Sequence, residues 1–205
     1  MRTSETSQSF GNANMAVTEG LTCAGITVSA KGQKNAAIQR NGQKAYWTFS
    51  GPATAIFQPS AYKGATGSSE SNRLSLCLNV DESTLQQARE LDAWAIDYAL
   101  QNSEAFFGKR LTKEQVADRY NAIEKKSDKY PSYIKIKVNI DQTDRNAPSY
   151  WTTDKVRRGA PENWTQASLS CHTRIVGFWL VSNSFGLSIQ LQDAMIDEYS
   201  CACPF

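Results

Sequence analysis

Histidine is almost missing from this sequence: His172 stands alone among 205 residues. A catalytic arrangement built on imidazole therefore has one candidate base. Other chemistries lack their motifs altogether, since no Gly-x-Ser-x-Gly elbow, Walker loop or His-Glu-x-x-His pair occurs. Carboxylates cluster at Glu90, Asp92 and Asp97, on what reads as the solvated face of a helix. The expectation is a protein that is not an enzyme and needs no cofactor. No apolar run approaches the length that crosses a bilayer, so no membrane contact is expected. The first twenty residues hold no apolar stretch of the kind a secretory signal carries. The five cysteines are odd in number, and Cys201 and Cys203 sit too close for an easy bridge. An intracellular, reducing compartment follows as the expectation. Asn163-Trp164-Thr165 matches a glycosylation sequon, which without a secretion signal reads as chance.

Acid is missing from a long stretch too. No Asp or Glu falls between Glu19 and Glu70, while Lys31, Lys34, Arg40, Lys44 and Lys63 do. The balance tips the other way around Asp81, Glu82, Glu90, Asp92 and Asp97, then back to basic from Lys109 to Lys137. The net charge of +2 conceals this asymmetry. Segregated charge points to a polyanion bound on one face; ordinary mixing of surface charge is the competing reading.

What is present is best seen at Tyr133–Ile140. Ile134, Ile136, Val138 and Ile140 alternate with Tyr133, Lys135, Lys137 and Asn139, the period of a half-buried strand. Strands are also expected at Leu21–Val28, Tyr46–Phe49, Ala53–Phe57 and Arg73–Val80, with a basic loop at 30–35 and a tight turn at Asn41-Gly42. Leu85, Ala88, Leu91, Ala95 and Ala99 recur at helical spacing from Ser83 to about Phe106. Gly108 ends that helix, and Thr112-x-x-Gln115 signs the start of a second one reaching about Lys126. Thr173–Ser182 and Phe185–Gln192 read as a closing hairpin turning at 183–186.

The expected class is mainly β with a helical insert (α+β). The insert falls between the third and fourth strands of what reads as a five-stranded barrel of the oligonucleotide-binding (OB-fold) type, closed by a C-terminal β-hairpin. A helix-decorated jelly roll is the alternative. Residues 1–20 read as a flexible segment, 21–192 as the domain with its insert at 83–126, and 193–205 as a tail. The loop at 60–71 reads as mobile.

Aromatic rings stack on bases and cations neutralise phosphates, so a surface that interleaves the two suits a single strand. The candidates are Lys31, Lys34, Lys44, Tyr46, Trp47, Tyr62, Lys63, Tyr133, Lys135, Lys137, Trp151, Arg157 and Arg158. The competing reading of Trp47 and Trp151 is core packing. Cys171-His172 and Cys201-x-Cys203 carry metal-ligand chemistry, but the one-residue gap is unlike zinc modules and no metal is expected.

Arg174–Val181 followed by Phe185–Gln192, with its Phe-Gly step and its Gln end, resembles the single-stranded DNA-binding proteins of bacteriophages and large eukaryotic DNA viruses. Tyr133-x-Lys135-x-Lys137 resembles their penultimate barrel segment. The resemblance spans about residues 130–192. It implies an OB-type barrel that coats single-stranded DNA in replication or recombination, in cytoplasm, nucleus or a viral replication site. It also implies a C-terminal docking tail for replication proteins, here ending in Pro204 and Phe205, with the acids of the family's tail thin and Tyr199–Ala202 neutral. RNA as ligand and self-association stay open. The alternative function is a structural or interaction β-protein, such as a virion or scaffold component.

Overall fold

The computed structural model describes residues 16–28, 34–60, 73–126, 131–139, 143 and 146–197. Five strands come first: β1 (Leu21–Val28), β2 (Lys34–Arg40), β3 (Gln43–Thr48), β4 (Ala53–Ala55) and β5 (Arg73–Asn79). Three helices follow, α1 (Glu82–Gln101), α2 (Ser103–Phe107) and α3 (Lys113–Ala117). The short strands β6 (Tyr120–Asn121) and β7 (Glu124–Lys125) lead to β8 (Tyr133–Asn139), β9 (Ser149–Thr152) and β10 (Arg157–Arg158). The chain closes on β11 (Ser168–Val181) and β12 (Ser184–Asp197). The protein is thus mainly β, with its helices inserted between strands, the α+β arrangement expected of an OB-like fold.

The long β11–β12 hairpin is the spine. β11 pairs with β4, β4 with β5, β5 with β8, β8 with β12, and β12 with β11 again, so the pairings return to their start. β2 and β3 both lie antiparallel to β11, on successive stretches of it. Gly177 makes room for β2: a Cβ there would run into the Ala36 carbonyl. The turn between β2 and β3 is the expected Asn41-Gly42, with both residues at positive φ (51° and 77°) and Arg40 opposite Gln43. That geometry matches the twist of a two-residue hairpin.

The alternation in β8 resolves over its first six residues, with Ile134, Ile136 and Val138 buried and Lys135 and Lys137 exposed; Asn139, expected on the outward row, is buried, and Ile140 lies outside the described residues. Leu76 and Leu78 of β5, Ile175 of β11, and Ile189 and Leu191 of β12 join them in the core. Each such side chain contributes about 1.5–3 kcal/mol by leaving water. α1 covers this core with Leu85, Ala88, Leu91, Ala95 and Ala99, the residues at helical spacing. Its start is capped by Asp81, whose carboxylate accepts the Thr84 N–H at 3.0 Å. Among the described residues no helix is long and apolar enough to cross a membrane.

Four local expectations are corrected. The long helix breaks at Asn102, which leaves helical geometry (φ −111°, ψ 23°), donates its amide to the Tyr98 carbonyl, and begins the separate turn α2. The second helix keeps its capping box at Thr112 and Gln115 but ends at Ala117 instead of Lys126. Its stripe residues Tyr120 and Ile123 are claimed by the buried Asp92 carboxylate. The Tyr120 hydroxyl donates to it at 2.7 Å and the Ile123 N–H at 3.0 Å, which draws this segment out of the helix and into β6 and β7. Lys34 and Asn35 belong to β2, not to a loop, with Ala36 and Ile38 facing inward; two alanines gave that strand little hydrophobic signal. The closing turn is Ser182-Asn183, because Val181 pairs with Ser184 and Phe185 is needed in the core.

Within the segment read as an N-terminal extension, residues 16–20 turn against the sheet: Val17 is buried and its carbonyl accepts Arg40 at 2.5 Å. β12 runs past Gln192 to Asp197 because β9 pairs alongside it. The loop expected at 60–71, apart from Ser60, lies outside the described residues. So does the tail beyond Asp197.

Candidate nucleic-acid interface

The strand registers place five outward-facing residues in one row. Tyr46 of β3 lies opposite Arg174 of β11, Arg174 opposite Gln190 of β12, Gln190 opposite Lys137 of β8, and Lys137 opposite Ser75 of β5. Each step is one strand spacing of about 4.8 Å, so the row runs about 19 Å across the sheet. The inward neighbours in register with it, such as Trp47, Thr173, Leu191 and Ile136, are buried, and Leu74 beside Ser75 is partly so. Lys135 stands two residues from Lys137 on the same face, opposite Cys77, and Lys44 stands two residues from Tyr46. The face therefore presents four cations, an aromatic ring and an amide.

Arg174 is held half-buried in this row and makes no side-chain hydrogen bond among the described residues; its Nε is shielded from water without a partner. An unpaired buried donor of this kind is uncommon in a folded protein. Beside it His172 stacks on Tyr46, ring centroids 5.0 Å apart and planes 20° from parallel. His172 Nδ1 and the Thr48 hydroxyl share a hydrogen bond of 2.7 Å. Burial lowers the pKa of His172, while Asp193 opposes that shift. A neutral imidazole at neutral pH supplies a flat surface rather than a charge. Asp193 also accepts the Trp151 indole N–H at 3.3 Å, which fixes that ring beside the row.

The predicted residues divide accordingly. Tyr46, Lys44, Lys135 and Lys137 come together on the face, with Tyr133 on the same phase of β8. Trp151 lies on β9 opposite Arg157 of β10, with Arg158 next to it, at the far edge of the sheet beyond β12. Trp47 is a correction: it is buried, its indole N–H donates to Gln87 Oε1 of α1 at 2.9 Å, and its ring packs on Phe49. The even phase of β3 is outward, so Tyr46 and Trp47 cannot both face a ligand. Lys34 lies apart from the row. It shares the inward phase of Ala36 and Ile38, and its Nζ approaches the Phe106 carbonyl at 3.5 Å, away from the row. Lys31, Tyr62, Lys63, Pro204 and Phe205 lie outside the described residues.

Sequence reasoning missed Arg174, Gln190 and the stacking role of His172. Alternation along 168–175 places His172 and Arg174 on one side, so the signal was there, but register with Tyr46 is a long-range property. Trp179 was missed as well: it lies outward over Gly186, where a Cβ would meet its ring at 2.9 Å. Cys171 points inward and is buried, which pushes its thiol up to about 12, while His172 points outward. Neighbours on opposite faces of one strand cannot ligate a common ion. Among the described residues no three His, Cys, Asp or Glu side chains are grouped to hold a metal.

The class these features define is a mainly β, helix-inserted (α+β) sheet with a basic, aromatic outer face. No family model and no curated protein matches the sequence. Among solved structures the chain is similar to gp2.5, a single-stranded DNA-binding protein encoded by bacteriophage T7. There the identity is 13%, the TM-score 0.46, and the match covers 75% of this chain and 86% of that one. It is also similar to the single-stranded DNA-binding protein of bacteriophage Enc34 in a C-terminally truncated form, at 10% identity and TM-score 0.46, covering 83% and 94%. The Enc34 protein in complex with single-stranded DNA matches at 11% identity and TM-score 0.42, covering 85% and 94%.

Proposed function

We propose that this protein binds single-stranded nucleic acid, DNA before RNA, across the outer face of β3, β11, β12, β8 and β5, without an enzymatic step. The observation that carries the reading is the register row Tyr46–Arg174–Gln190–Lys137, flanked by Lys44 and Lys135. Cations spaced across a sheet meet successive phosphates, and the Tyr46–His172 pair offers aromatic rings beside them on which a base can stack. Phosphates and π-faces are common to every nucleotide, so binding is largely independent of sequence. Duplex hides its bases, so single strands gain the stacking contribution that duplex forgoes. Protection of single strands during replication or recombination is the role this suits, and the C-terminal Pro204-Phe205 is the element proposed to dock replication proteins. Arg174→Ala tests the site: affinity for a labelled oligonucleotide should fall about tenfold, the cost of a charge-assisted phosphate contact. Unchanged affinity in a folded variant would remove the row from the interface.

A further inference from the structure

Away from the sheet face, at the tip of the β11–β12 hairpin, lies a cavity of about 200 Å³. Its walls carry two cations, Lys34 and Arg119, together with the turn residues Ser182, Asn183 and Ser184; Phe106, Phe107 and Leu180 form the apolar side. Among the described residues no carboxylate lines it.

Both cations are held in place by something other than an acid. Lys34 is on the inward phase of β2, at the position opposite Leu180, where its Nζ meets the Phe106 carbonyl at 3.5 Å. Arg119 lies over the Phe107 ring, 5.4 Å from its centroid, and its own carbonyl accepts the Phe185 N–H at 3.0 Å, tying its backbone to the hairpin. Among the described residues the guanidinium makes no ion pair. Three other cations in the same region of sequence do not share this state: Arg89 pairs with Glu82 and Glu124, Arg110 with Glu104, and Lys113 with Asp97.

We propose that this cavity is a second anion site that takes a phosphate monoester, the terminal phosphate of a nucleic-acid strand or of a mononucleotide. Two fixed cations match the double charge of a monoester better than the single charge of an internal diester. The hydroxyls of Ser182 and Ser184 and the Asn183 amide supply donors to the oxygens left over. The apolar side formed by Phe106 and Leu180 gives the sugar of a chain end a surface to pack on. The terminal-strand form rests on the function proposed above; the mononucleotide form does not.

The test uses the full chain and its Lys34→Gln and Arg119→Gln variants, with Lys135→Ala/Lys137→Ala as the control that leaves the cavity intact. Amide signals of Ser182, Asn183 and Ser184 are followed by NMR as inorganic phosphate, and then thymidine 5′-monophosphate, is added at constant ionic strength. Saturable shifts are expected in the wild type and the control, and their loss in Arg119→Gln or Lys34→Gln. Oligonucleotides with and without a terminal phosphate are then titrated. A phosphorylated end should bind about tenfold more tightly, the sum of two partly screened charge pairs, and the advantage should vanish in the cavity variants but survive in the control. Shifts with phosphate and mononucleotide but no end preference assign the site to mononucleotides. Strand binding lost entirely while phosphate still shifts these amides would refute the sheet-face reading and keep this one. No saturable shift in the wild type, or the same shift in folded Arg119→Gln, overturns the proposal; thermal melts establish that the variants are folded.

Discussion

The Lys135→Ala/Lys137→Ala double substitution separates affinity from stability more cleanly than any other on the sheet face. Both side chains project from the exposed phase of β8, while Ile134, Ile136 and Val138 hold the strand in the core. Removing the two ammonium groups leaves that apolar row intact, so stability should change by no more than about 0.5 kcal/mol. Binding is another matter. Each phosphate contact to a single strand contributes about 0.7 to the slope of log K against log salt, so losing two lowers the slope by about 1.4. Between 50 and 200 mM salt the wild type should therefore lose about sevenfold more affinity than the variant does. Fluorescence anisotropy with a labelled oligonucleotide at four salt concentrations reads the slope directly, and urea denaturation reads stability. An unchanged slope with weaker binding would mean that the lysines act without touching phosphates. An unchanged slope and affinity would mean that they merely solvate the strand.

Other parts of the structure give sharper tests of individual assignments. Trp47→Ala should cost about 3–5 kcal/mol of stability, measured by denaturant unfolding, because a buried indole and its bond to Gln87 are lost; a stable variant with weakened DNA binding would return Trp47 to the interface. Burial raises the Asp92 carboxyl to about 6, against the pull of its bonds from Tyr120, Ile123 and Glu124. The folded state thus holds the proton more tightly than the unfolded one, so stability from this group is full below about pH 4 and is lost as pH rises through 6, roughly 3 kcal/mol in all. Asp92→Asn should remove that portion of the pH dependence in melts between pH 4 and 7, and an identical pH profile would show that Asp92 does not titrate there. Deleting 200–205 should leave the melting temperature unchanged and leave DNA affinity equal or higher while abolishing capture by a replication partner; a melting temperature lowered by several degrees would make Phe205 a packing residue.

Much of the fold was legible because it rests on local periodicity. The β8 alternation, the spacing of Leu85, Ala88, Leu91, Ala95 and Ala99, the Asn41-Gly42 turn and the Thr112 capping box all express constraints within a few residues of each other. The errors share the opposite origin. Tyr120 and Ile123 have helical spacing, but Asp92, 28 residues earlier, offers them hydrogen bonds that a helix would forgo. Asn102 interrupts a continuous apolar stripe by bonding backward to Tyr98. For the interface the pattern was the same. Lys135 and Lys137 announce themselves by alternation, whereas Tyr46 against Trp47 is decided by the phase of β3, which two adjacent aromatics leave ambiguous. Arg174 enters the face only through pairings with β3 and β12, and no local feature of its own segment distinguishes it from any other strand arginine.

The central claim is that a single strand lies on the outer sheet face and is held by phosphate contacts and stacking. A titration of labelled oligo-dT, with an unlabelled duplex of equal length as competitor, tests it at 50 and 200 mM salt. Tight binding at low salt that falls as a power of salt concentration, with duplex competing poorly, is the predicted result. Equal competition by duplex, or no binding at low salt, would contradict the account.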